Sequence, residues 1–463
     1  MREVTCRAPT DLGGRLYRRP AMAASAPRAL TRRLRPGSTA GGLVAGVGVV
    51  AVATIVVGAV LVLGGRDIGA PLPPTLFRLR PELSLFALPA AALLALGVPV
   101  ARRVSLPSVA PGMFVLAAVG LALVLRLGLN AARNGPSDWW IFFDPRFGEG
   151  TVEYLSALPA LDFGVPLFLD RFAETASALP VHAVGHPPGL LSVVGLLGIE
   201  TAPAFAALII AVGVLCTPLV YLLARELLGD EGSARAATLL FVFAPSALVY
   251  GASAADALYA TLGALAALAL VCRRRLARHL GGPAALALAT FFSYANLAVG
   301  AFGALVVWLR EGWRAALKLA AAAAAGLVVF YLAAFAFFGF DIIGALAATE
   351  DVYRVSIARI RPYWYFLTGS PVAWMLALGP PIVLFWLRAV AAREAVALAL
   401  GAVVVLSSIG GFTKAETERI WLFFVPFACV AAAAVLPRRW LVPVLAALAA
   451  QAFLMQVLLG TAW

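Results

Sequence analysis

The chain has 463 residues, of which 62% are hydrophobic and 13% are charged, and its mean hydropathy is +0.95. Soluble domains carry roughly 25% charged residues, so this composition excludes an ordinary soluble protein and indicates one that crosses a membrane many times. The net charge of +13 does not indicate nucleic-acid binding, because nine arginines lie in the first 40 residues and other basic clusters follow the predicted helix ends.

Residues 1–40 are rich in Arg, Pro and Ala and have no helical periodicity. We therefore predict a disordered basic cytoplasmic tail, followed by one transmembrane domain over residues 41–463. In membrane proteins Lys and Arg concentrate on the cytoplasmic side. The basic tail therefore predicts a multi-pass protein of the plasma membrane with its N-terminus inside the cell. On this topology residues 130–201, 340–370 and 412–420 are external loops.

Apolar runs recur along the rest of the chain, and about 20 apolar residues suffice to cross a bilayer as a helix. Backbone groups in lipid must form hydrogen bonds within their own segment, so such runs predict helices. The sequence thus predicts an all-α polytopic membrane protein with about thirteen transmembrane helices. They are predicted at 41–64, 83–100, 112–129, 202–224, 235–252, 257–272, 283–297, 299–309, 318–338, 371–388, 394–412, 421–436 and 440–460.

The polar residues of the predicted external face are the candidates for chemistry. The first external loop, 130–201, is the longest polar interval of the chain. The candidates are Asp138, Asp144, Glu153, His182, His186, Asp256, Arg354, Arg359, Arg361, Lys414 and Arg419. Carboxylates gathered with cations next to lipid suit a reaction in which a base removes a hydroxyl proton while Arg or Lys holds a phosphate leaving group.

Several residues of the first loop have more than one interpretation. Trp139 and Trp140 either anchor the loop at the membrane interface or offer a flat apolar surface to a sugar ring. Asp144 precedes a proline and could simply begin a turn. Glu153 and Tyr154 open an amphipathic stretch, where an acid also complements the dipole of a helix start.

His186 is followed by two prolines, which exclude a helix there and keep the backbone extended, so its ring is presented at the head of the next apolar run. His182 and His186 lack an HExxH or paired-Cys pattern, so no metal site is assigned to them. Carboxylates alone could still hold a divalent cation beside a phosphate, and no other cofactor is predicted. The cysteines show no CxxC and are interpreted as small buried hydrophobic residues.

Several motifs together resemble a known family. They are an acidic first external loop, the G-H-P-P-G at 185–189, the L-A-R-E-L-L-G at 223–229 and the F-A-P-S-A-L-V-Y-G-A-S-A-A-D at 243–256. This pattern, over roughly residues 112–310, is similar to the GT-C superfamily of membrane glycosyltransferases. Within it, the pattern resembles the protein-mannosyltransferase and aminoarabinose-transferase branch and actinobacterial membrane proteins with a G-H-P-P-G element. The E-T-E-R-I-W-L-F-F-V-P at 416–426 extends the resemblance weakly.

The resemblance implies a GT-C-like bundle whose long first external loop is catalytic. It also implies a polyprenyl-phosphate-linked sugar donor and an extracytoplasmic glycan, lipid or protein acceptor. The presumed base of the family corresponds best to Asp138, a second acid to Asp256, and the phosphate-holding cations to Lys414 and Arg419. This chain departs from the pattern by two additional spans before the core. It also lacks an adjacent Asp-Glu pair in the first loop, which leaves Asp138 and Asp144 as competing candidates.

The expected function is therefore an inverting glycosyltransferase. Its carboxylate base would be Asp138 or Asp144, and its leaving phosphate would be held by Lys414, Arg419 and either Arg354 or Arg361. A multispan transporter or a lipid flippase is the alternative, although such proteins usually carry ionisable groups near mid-membrane. A non-catalytic scaffold is a further alternative, which replacement of both aspartates would test.

Overall fold

A computed structural model of the protein describes residues 36–461, and the predicted tail lies almost wholly outside them. The described chain is nearly all helical, with 79% of its residues in helices. This confirms the all-α class, and its apolar helices support a membrane protein.

The first three helices are long and apolar: α1 (Pro36–Leu63), α2 (Ala87–Val104) and α3 (Pro111–Asn130). Proline at the first position of α3 removes no hydrogen bond, because the first N–H groups of a helix have no partner within it. Strand β1 (Arg78–Leu79) lies between α1 and α2 and pairs antiparallel with β2 (Leu459–Gly460). The end of the described chain is thereby held against residues 64–86.

Residues 131–201 fold into a series of short helices. The α-helices are α4 (Val165–Asp170), α5 (Phe172–Thr175), α6 (Val181–Val184) and α7 (Gly189–Leu197). The 3-10 helices are Pro136–Trp139, Ile141–Phe143, Gly148–Val152, Tyr154–Leu161 and Ala176–Ala178. Phe143, Tyr154 and Phe172 of this segment are fully buried, so the first loop has its own apolar contacts with the bundle.

The middle of the chain forms the centre of the bundle. Its helices are α8 (Ala202–Val214), α9 (Cys216–Leu228), α10 (Glu231–Phe243), α11 (Pro245–Ser253), α12 (Asp256–Val271), the π-helix Ala277–Gly281, α13 (Gly282–Phe292), the 3-10 helix Tyr294–Asn296, α14 (Leu297–Glu311) and α15 (Trp313–Phe338). A Cβ atom on Gly213 would lie 2.8 Å from the Cβ of Ala257, so α8 and α12 meet through small residues. Small residues let two helices approach closely. In lipid the hydrophobic effect does not drive helices together, so this close packing is a main source of their association.

The last third of the chain supplies α16 (Ile342–Val355), the 3-10 helix Ile357–Arg359, α17 (Tyr363–Leu378), α18 (Pro380–Ala391), α19 (Ala395–Gly410), α20 (Thr417–Ile420), the 3-10 helix Trp421–Phe424, α21 (Val425–Ala433), the 3-10 helix Arg438–Trp440 and α22 (Leu441–Leu458). Helices α10 and α11 meet at a bend of 58°, and α17 and α18 at a bend of 115°. Each second helix of these pairs begins at a proline, which cannot continue the preceding helical hydrogen bonds.

Within residues 36–461, six helices are long and apolar enough to cross a membrane, or up to eight if each bent pair is one span. The six are Ala40–Leu63, Ala87–Val104, Pro111–Asn130, Ala202–Leu228, Trp313–Phe338 and Arg438–Leu458. The predicted number of thirteen stays a prediction, because several apolar helices of the described chain are shorter than this length criterion or are buried inside the protein. Helix α21 is an example, since all nine of its residues are buried.

Side-chain contacts define two ends of the bundle. At the basic end, Arg235 at the start of α10 donates to the carbonyl oxygens of Leu106 and Val109, between α2 and α3. At the loop end, Arg133 after α3 donates to the carbonyl of Leu459. Following the described helices in chain order, the basic end comprises residues 104–110, 229–235, 272–281, 311–313, 391–395 and 434–440. The loop end comprises 64–86, 131–201, 339–362 and 411–424.

Candidate functional site

Arg419 forms the centre of a buried group of charges at the loop end. Its guanidinium donates to Asp256 Oδ2 over 2.6 Å and to Glu416 Oε2 over 3.1 Å. The side chains of Arg419 and Asp256 are each only 4% exposed. Burial alone would lower the pKa of Arg419, but Asp256 and Glu416 outweigh it and raise that pKa, so the guanidinium stays charged.

Glu416 joins a second arginine to this group. Its Oε1 lies 2.9 Å from Nη2 of Arg361, whose side chain is 5% exposed. Burial opposes ionisation of Glu416, but Arg361 and Arg419 outweigh it and lower the pKa of this carboxyl to about 2. We call Asp256, Arg361, Glu416 and Arg419 the charged cluster, in which carboxylates and guanidinium groups alternate.

Lys414 lies beside the charged cluster. Its Nζ donates to the carbonyl of Ala358 over 2.7 Å, and its own carbonyl accepts from Nη1 of Arg361 over 2.9 Å. Burial and the nearby Arg361 lower the pKa of Lys414. The turn before α20 therefore brings a third cation to the two arginines.

The backbone at this turn is strained. Ala415 and Glu416 have φ angles of 64° and 59°, in the left-handed region that residues with a Cβ atom rarely adopt. Residues held in this region cost about 1 kcal/mol or more each and persist where surrounding contacts fix them. Here the contacts of Glu416 with both arginines fix the conformation. Such strain is frequent at binding and catalytic sites.

The first loop contributes Glu153 and two histidines. Glu153 is 2% exposed, and its Oε1 lies 4.0 Å from Nε2 of His182. Burial, and then the charge of Arg419, lower the pKa of His182 to about 3, so its imidazole is neutral and this contact is not an ion pair. His182 and Glu153 therefore border the charged cluster from the first loop.

His186 is held by contacts with two neighbouring residues. Its ring stacks on Tyr259 with the centroids 4.8 Å apart, and its Nδ1 bonds the carbonyl of His182 over 2.9 Å. Burial lowers the pKa of His186, which favours a neutral ring donating from Nδ1. The Tyr154 hydroxyl bonds that of Tyr259, so the first loop is fastened to α12 beside Asp256.

The glycine of the G-H-P-P-G element has a steric role. Gly189 begins α7, and a Cβ atom there would lie 2.3 Å from the carbonyl oxygen of Phe291. Only glycine allows α7 to approach the end of α13 this closely. The two prolines and this backbone contact all follow His186 in the chain and together constrain its position.

Glu418 belongs to this site, although only its neighbour Arg419 was a predicted site residue. It is 1% exposed, and its Oε1 accepts a hydrogen bond from the backbone N–H of Leu76 over 2.8 Å. Burial raises the pKa of Glu418 to about 7. The signal in the sequence was the E-T-E-R element itself, but the contact with Leu76 spans 342 positions and could not be read from it.

Three buried polar atoms around the charged cluster have no hydrogen-bond partner among residues 36–461. They are Glu418 Oε2, Arg361 Nε and the hydroxyl oxygen of Tyr250. Buried polar groups are usually bonded, because leaving one without a partner costs about 1–3 kcal/mol. An acceptor and two donors are thus available to a polar ligand or to water.

The structure does not join the other predicted residues to the charged cluster by any contact within its described part. Asp138 accepts from the backbone and side-chain N–H groups of Asn134, both over 3.1 Å. It is 1% exposed, and burial raises its pKa. Asp144 pairs with Arg146 over 2.7 Å, and hydrogen bonds from Arg146 lower its pKa.

The remaining candidates are Trp139 and Trp140 in the first loop and Arg354 in the second. Trp139 donates from Nε1 to the carbonyl of Leu127 over 2.9 Å, and Trp140 packs partly buried against the core. Arg354 pairs with Glu350 one turn earlier in α16 and is largely exposed. The described residues contain no group of three or more His, Cys, Asp or Glu that could hold a metal ion.

The chain was compared with models of protein families and with curated proteins, and neither comparison found a match. The function is therefore inferred from the contacts and charges of the residues above and from the resemblance in their motifs.

Proposed function

We propose that the chain is a membrane glycosyltransferase of the GT-C type. It would transfer a sugar from a polyprenyl-phosphate-linked donor to a glycan, lipid or protein acceptor outside the cytoplasm. The observation that carries the proposal is the charged cluster, which brings two buried guanidinium groups, with Lys414 beside them, to one end of an apolar helical bundle. A lipid-linked phosphate needs cations at the height of the membrane surface.

Donor binding would use Arg361, Arg419 and Lys414. Preorganised donors stabilise charge that develops in a transition state, and they are most effective where water is excluded. Here Asp256 and Glu416 hold both guanidinium groups in place before any substrate arrives. Arg354 could join them only by leaving Glu350. The exposed aromatic rings of Tyr363 and Trp364, at the start of α17, suit the boundary between lipid and water.

The reaction is a single displacement at the anomeric carbon. An acceptor oxygen loses its proton to a carboxylate and forms the new bond to carbon, while the bond to the phosphate oxygen breaks and the polyprenyl phosphate leaves with the electron pair. This step inverts the anomeric configuration. A base works best when its pKa lies near the working pH.

The candidate bases differ in their surroundings. Asp138 remains the candidate favoured by the resemblance, and its burial, which raises its pKa, suits a base. Asp144 is already paired with Arg146, which favours it less. Glu418 is a third candidate, because it lies two residues after Glu416, has one carboxyl oxygen without a partner among residues 36–461 and has a pKa of about 7.

The basic end would face the cytoplasm and the loop end the outside of the cell. The basic end carries the arginines at 273–275 and Arg438 and Arg439, and Arg102 and Arg103 lie in the last helical turn of α2, which leads into it. Positively charged turns are retained on the cytoplasmic side, so this distribution supports a plasma-membrane protein with an external site.

Transfer in proteoliposomes tests the proposal. Purified protein would be given polyprenyl-phosphate donors carrying labelled hexoses or pentoses, with membrane extracts as acceptors. Arg361→Gln should lower the rate at least 100-fold, because it removes a charge at the leaving phosphate. Arg354→Gln, an exposed arginine of the same loop end, is the matched control and should lower it far less.

Stereochemistry gives an independent reading. The product should have the anomeric configuration opposite to that of the donor, and retention would exclude single displacement. Thermal unfolding of each variant must accompany the assay, because Arg361 pairs with Glu416. No transfer from any donor in the panel by folded wild-type protein would refute the proposal.

A lipid flippase is the second candidate, and the two bent helix pairs favour it. Discontinuous helices line the substrate paths of many transporters, and α10–α11 and α17–α18 bend by 58° and 115°. A flippase would move a fluorescent polyprenyl phosphate between the leaflets of a vesicle without any transfer of sugar. Transbilayer movement without transfer would favour this function over the first.

A further inference from the structure

Arg126 is a buried charge inside the membrane domain that the proposed reaction does not use. It lies in α3, one helical turn before the helix ends at Asn130, and is 2% exposed. Its Nε and Nη1 have no hydrogen-bond partner among residues 36–461. Among residues 36–461, no carboxylate forms an ion pair with Arg126. A buried charge without a partner strongly opposes folding, so ionisable groups inside membrane domains usually mark a functional site.

The protein is shaped around this guanidinium. A Cβ atom on Gly251 would lie 2.6 Å from Nε and 3.0 Å from Cζ of Arg126, so the guanidinium rests directly on the backbone of α11. On another side, Cζ lies 5.5 Å from the centroid of the Phe241 ring, in α10. Arg126 therefore contacts both helices of the bent pair α10–α11. The thiol of Cys216, in α9, also lies within electrostatic range of the guanidinium.

The position of Arg126 relates it to the charged cluster. Gly251 directly follows Tyr250, whose buried hydroxyl has no partner within the described chain and lies within electrostatic range of Glu418, Arg419 and Asp256. Two consecutive residues of the short helix α11 therefore face different charged groups: Tyr250 lies near the charged cluster, and Gly251 contacts Arg126.

We infer that Arg126 is the binding residue of a second, membrane-embedded oxyanion site, which takes the phosphate group of a substrate lipid or of a free phosphate. Guanidinium groups suit phosphate because several N–H donors can meet several oxygens at once. The choice of phosphate over other oxyanions rests on the proposed function, but the site does not depend on sugar transfer. A flippase of the same lipid would use it equally.

The test is the thermal unfolding of the full chain in nanodiscs of a zwitterionic lipid. Three probes separate the sources of phosphate: a polyprenyl monophosphate, the corresponding uncharged polyprenol, and inorganic phosphate. We expect the polyprenyl monophosphate to raise the Tm of the wild-type protein by several degrees and the polyprenol to have no effect. A rise with inorganic phosphate alone would support the same site with a free ion as its ligand.

Arg126→Met removes the charge and keeps an unbranched apolar side chain. Without any probe, its Tm should equal or exceed that of the wild type, because an uncompensated charge is lost. With polyprenyl monophosphate, the dissociation constant should rise at least tenfold and most of the Tm increase should disappear. Arg388→Met is the matched control, since Arg388 also lies over a phenylalanine ring, at 5.2 Å from Phe385, but is exposed. It should bind the probe as the wild type does.

Two further variants keep the outcome decisive. If Arg126→Met does not fold, Arg126→Lys retains the charge but loses most of the donors, and it should weaken binding of the phosphate probe without preventing folding. Gly251→Ala should displace the guanidinium and also weaken binding. Equal binding of the phosphate probe by Arg126→Lys, Gly251→Ala and the wild type, or no effect of either phosphate probe on the wild type, would overturn the inference.

The result is separable from that of the proposed function. If labelled sugar is not transferred but Arg126 is needed for binding of the phosphate probe, the glycosyltransferase proposal fails and the oxyanion site stands. If transfer proceeds and Arg126→Met binds the probe normally, the site fails and the proposed function stands.

Discussion

The two ends of the bundle contain similar kinds of charged residues but arrange them differently. At the basic end the ion pairs are partly open to solvent: in Arg278–Glu311 the carboxylate side chain is 42% exposed. At the loop end both side chains of Asp256–Arg419 are 4% exposed. Exposed pairs contribute little to stability, whereas a buried charge depends strongly on its partner. The basic end therefore uses charge to hold helix ends together, and the loop end maintains a set of charges that are costly to bury.

The loop end also differs in its backbone. Its charged cluster is built on a turn with two consecutive left-handed residues, and three nearby polar atoms are left without partners within the described chain. Strain and unpaired polar groups together are expected at a site adapted to a ligand and not at one optimised for stability. This contrast between the two ends can be tested one residue at a time.

The largest effect is expected from Asp256→Asn. It leaves Arg419 with Glu416 as its remaining carboxylate in the cluster, and removing one partner of a buried pair costs about 3 kcal/mol of unfolding free energy. Glu311→Gln at the basic end is the matched control and should cost no more than about 1 kcal/mol. Denaturant titration of both variants in mixed micelles measures the difference. Equal losses at the two ends would contradict the distinction between them.

A pH dependence of intermediate size is expected from Glu418. Its pKa is about 7 in the folded protein against an ordinary value of 4.5, so between these values the folded state binds more protons than the unfolded state. Its contribution to stability is therefore greatest below pH 4.5 and is lost as the pH rises to 7, by up to about 3 kcal/mol. Glu418→Gln should remove this decline.

The comparison has to be made between Glu418→Gln and the wild type, because other groups titrate nearby. Glu416 has a pKa lowered to about 2, so its contribution is present above pH 4.5 and is lost as the pH falls towards 2. The pKa of His182 is lowered to about 3, so its contribution to the stability of the protein is likewise lost as the pH falls below its ordinary pKa of 6.5. Unfolding free energies at pH 5 and pH 7.5 would decide. Parallel pH profiles of variant and wild type would contradict the role given to Glu418.

The class of the protein could be predicted from the sequence, because membrane helices are defined by composition over a local window. Helix α3 was predicted at 112–129 and is found at Pro111–Asn130. The number of transmembrane helices is harder to predict from the sequence, since hydropathy does not distinguish a helix in lipid from one buried in protein. The run predicted as a span at 421–436 is a 3-10 helix followed by the short, fully buried α21.

The candidate site was predictable in its residue types and not in its pairing. The sequence predicts Asp256, Arg361 and Arg419 as site residues because polar residues gathered on one face of an apolar bundle indicate a function, and the structure joins them through Glu416. Glu416 and Glu418 lie in the E-T-E-R element at 416–419. Nothing in the local sequence shows which of these acids contacts an arginine and which accepts a hydrogen bond from a distant backbone N–H. Whether Asp138 reaches a substrate bound at the cluster stays a prediction.

The smallest effect, and the one that relates strain to function most directly, is expected from glycine at a left-handed position. Ala415→Gly should raise the unfolding free energy by about 0.5–1 kcal/mol, because glycine adopts a φ of 64° without strain. Arg393 has a φ of 62° in the turn before α19, at the basic end, so Arg393→Gly should give a similar gain. Sugar transfer should separate the two variants. Glycine at 415 loosens the turn that positions Glu416 and Lys414, so it should lower the transfer rate severalfold, whereas glycine at 393 should leave the rate unchanged. Equal rates in both variants would mean that the strain at the loop end is incidental to its chemistry.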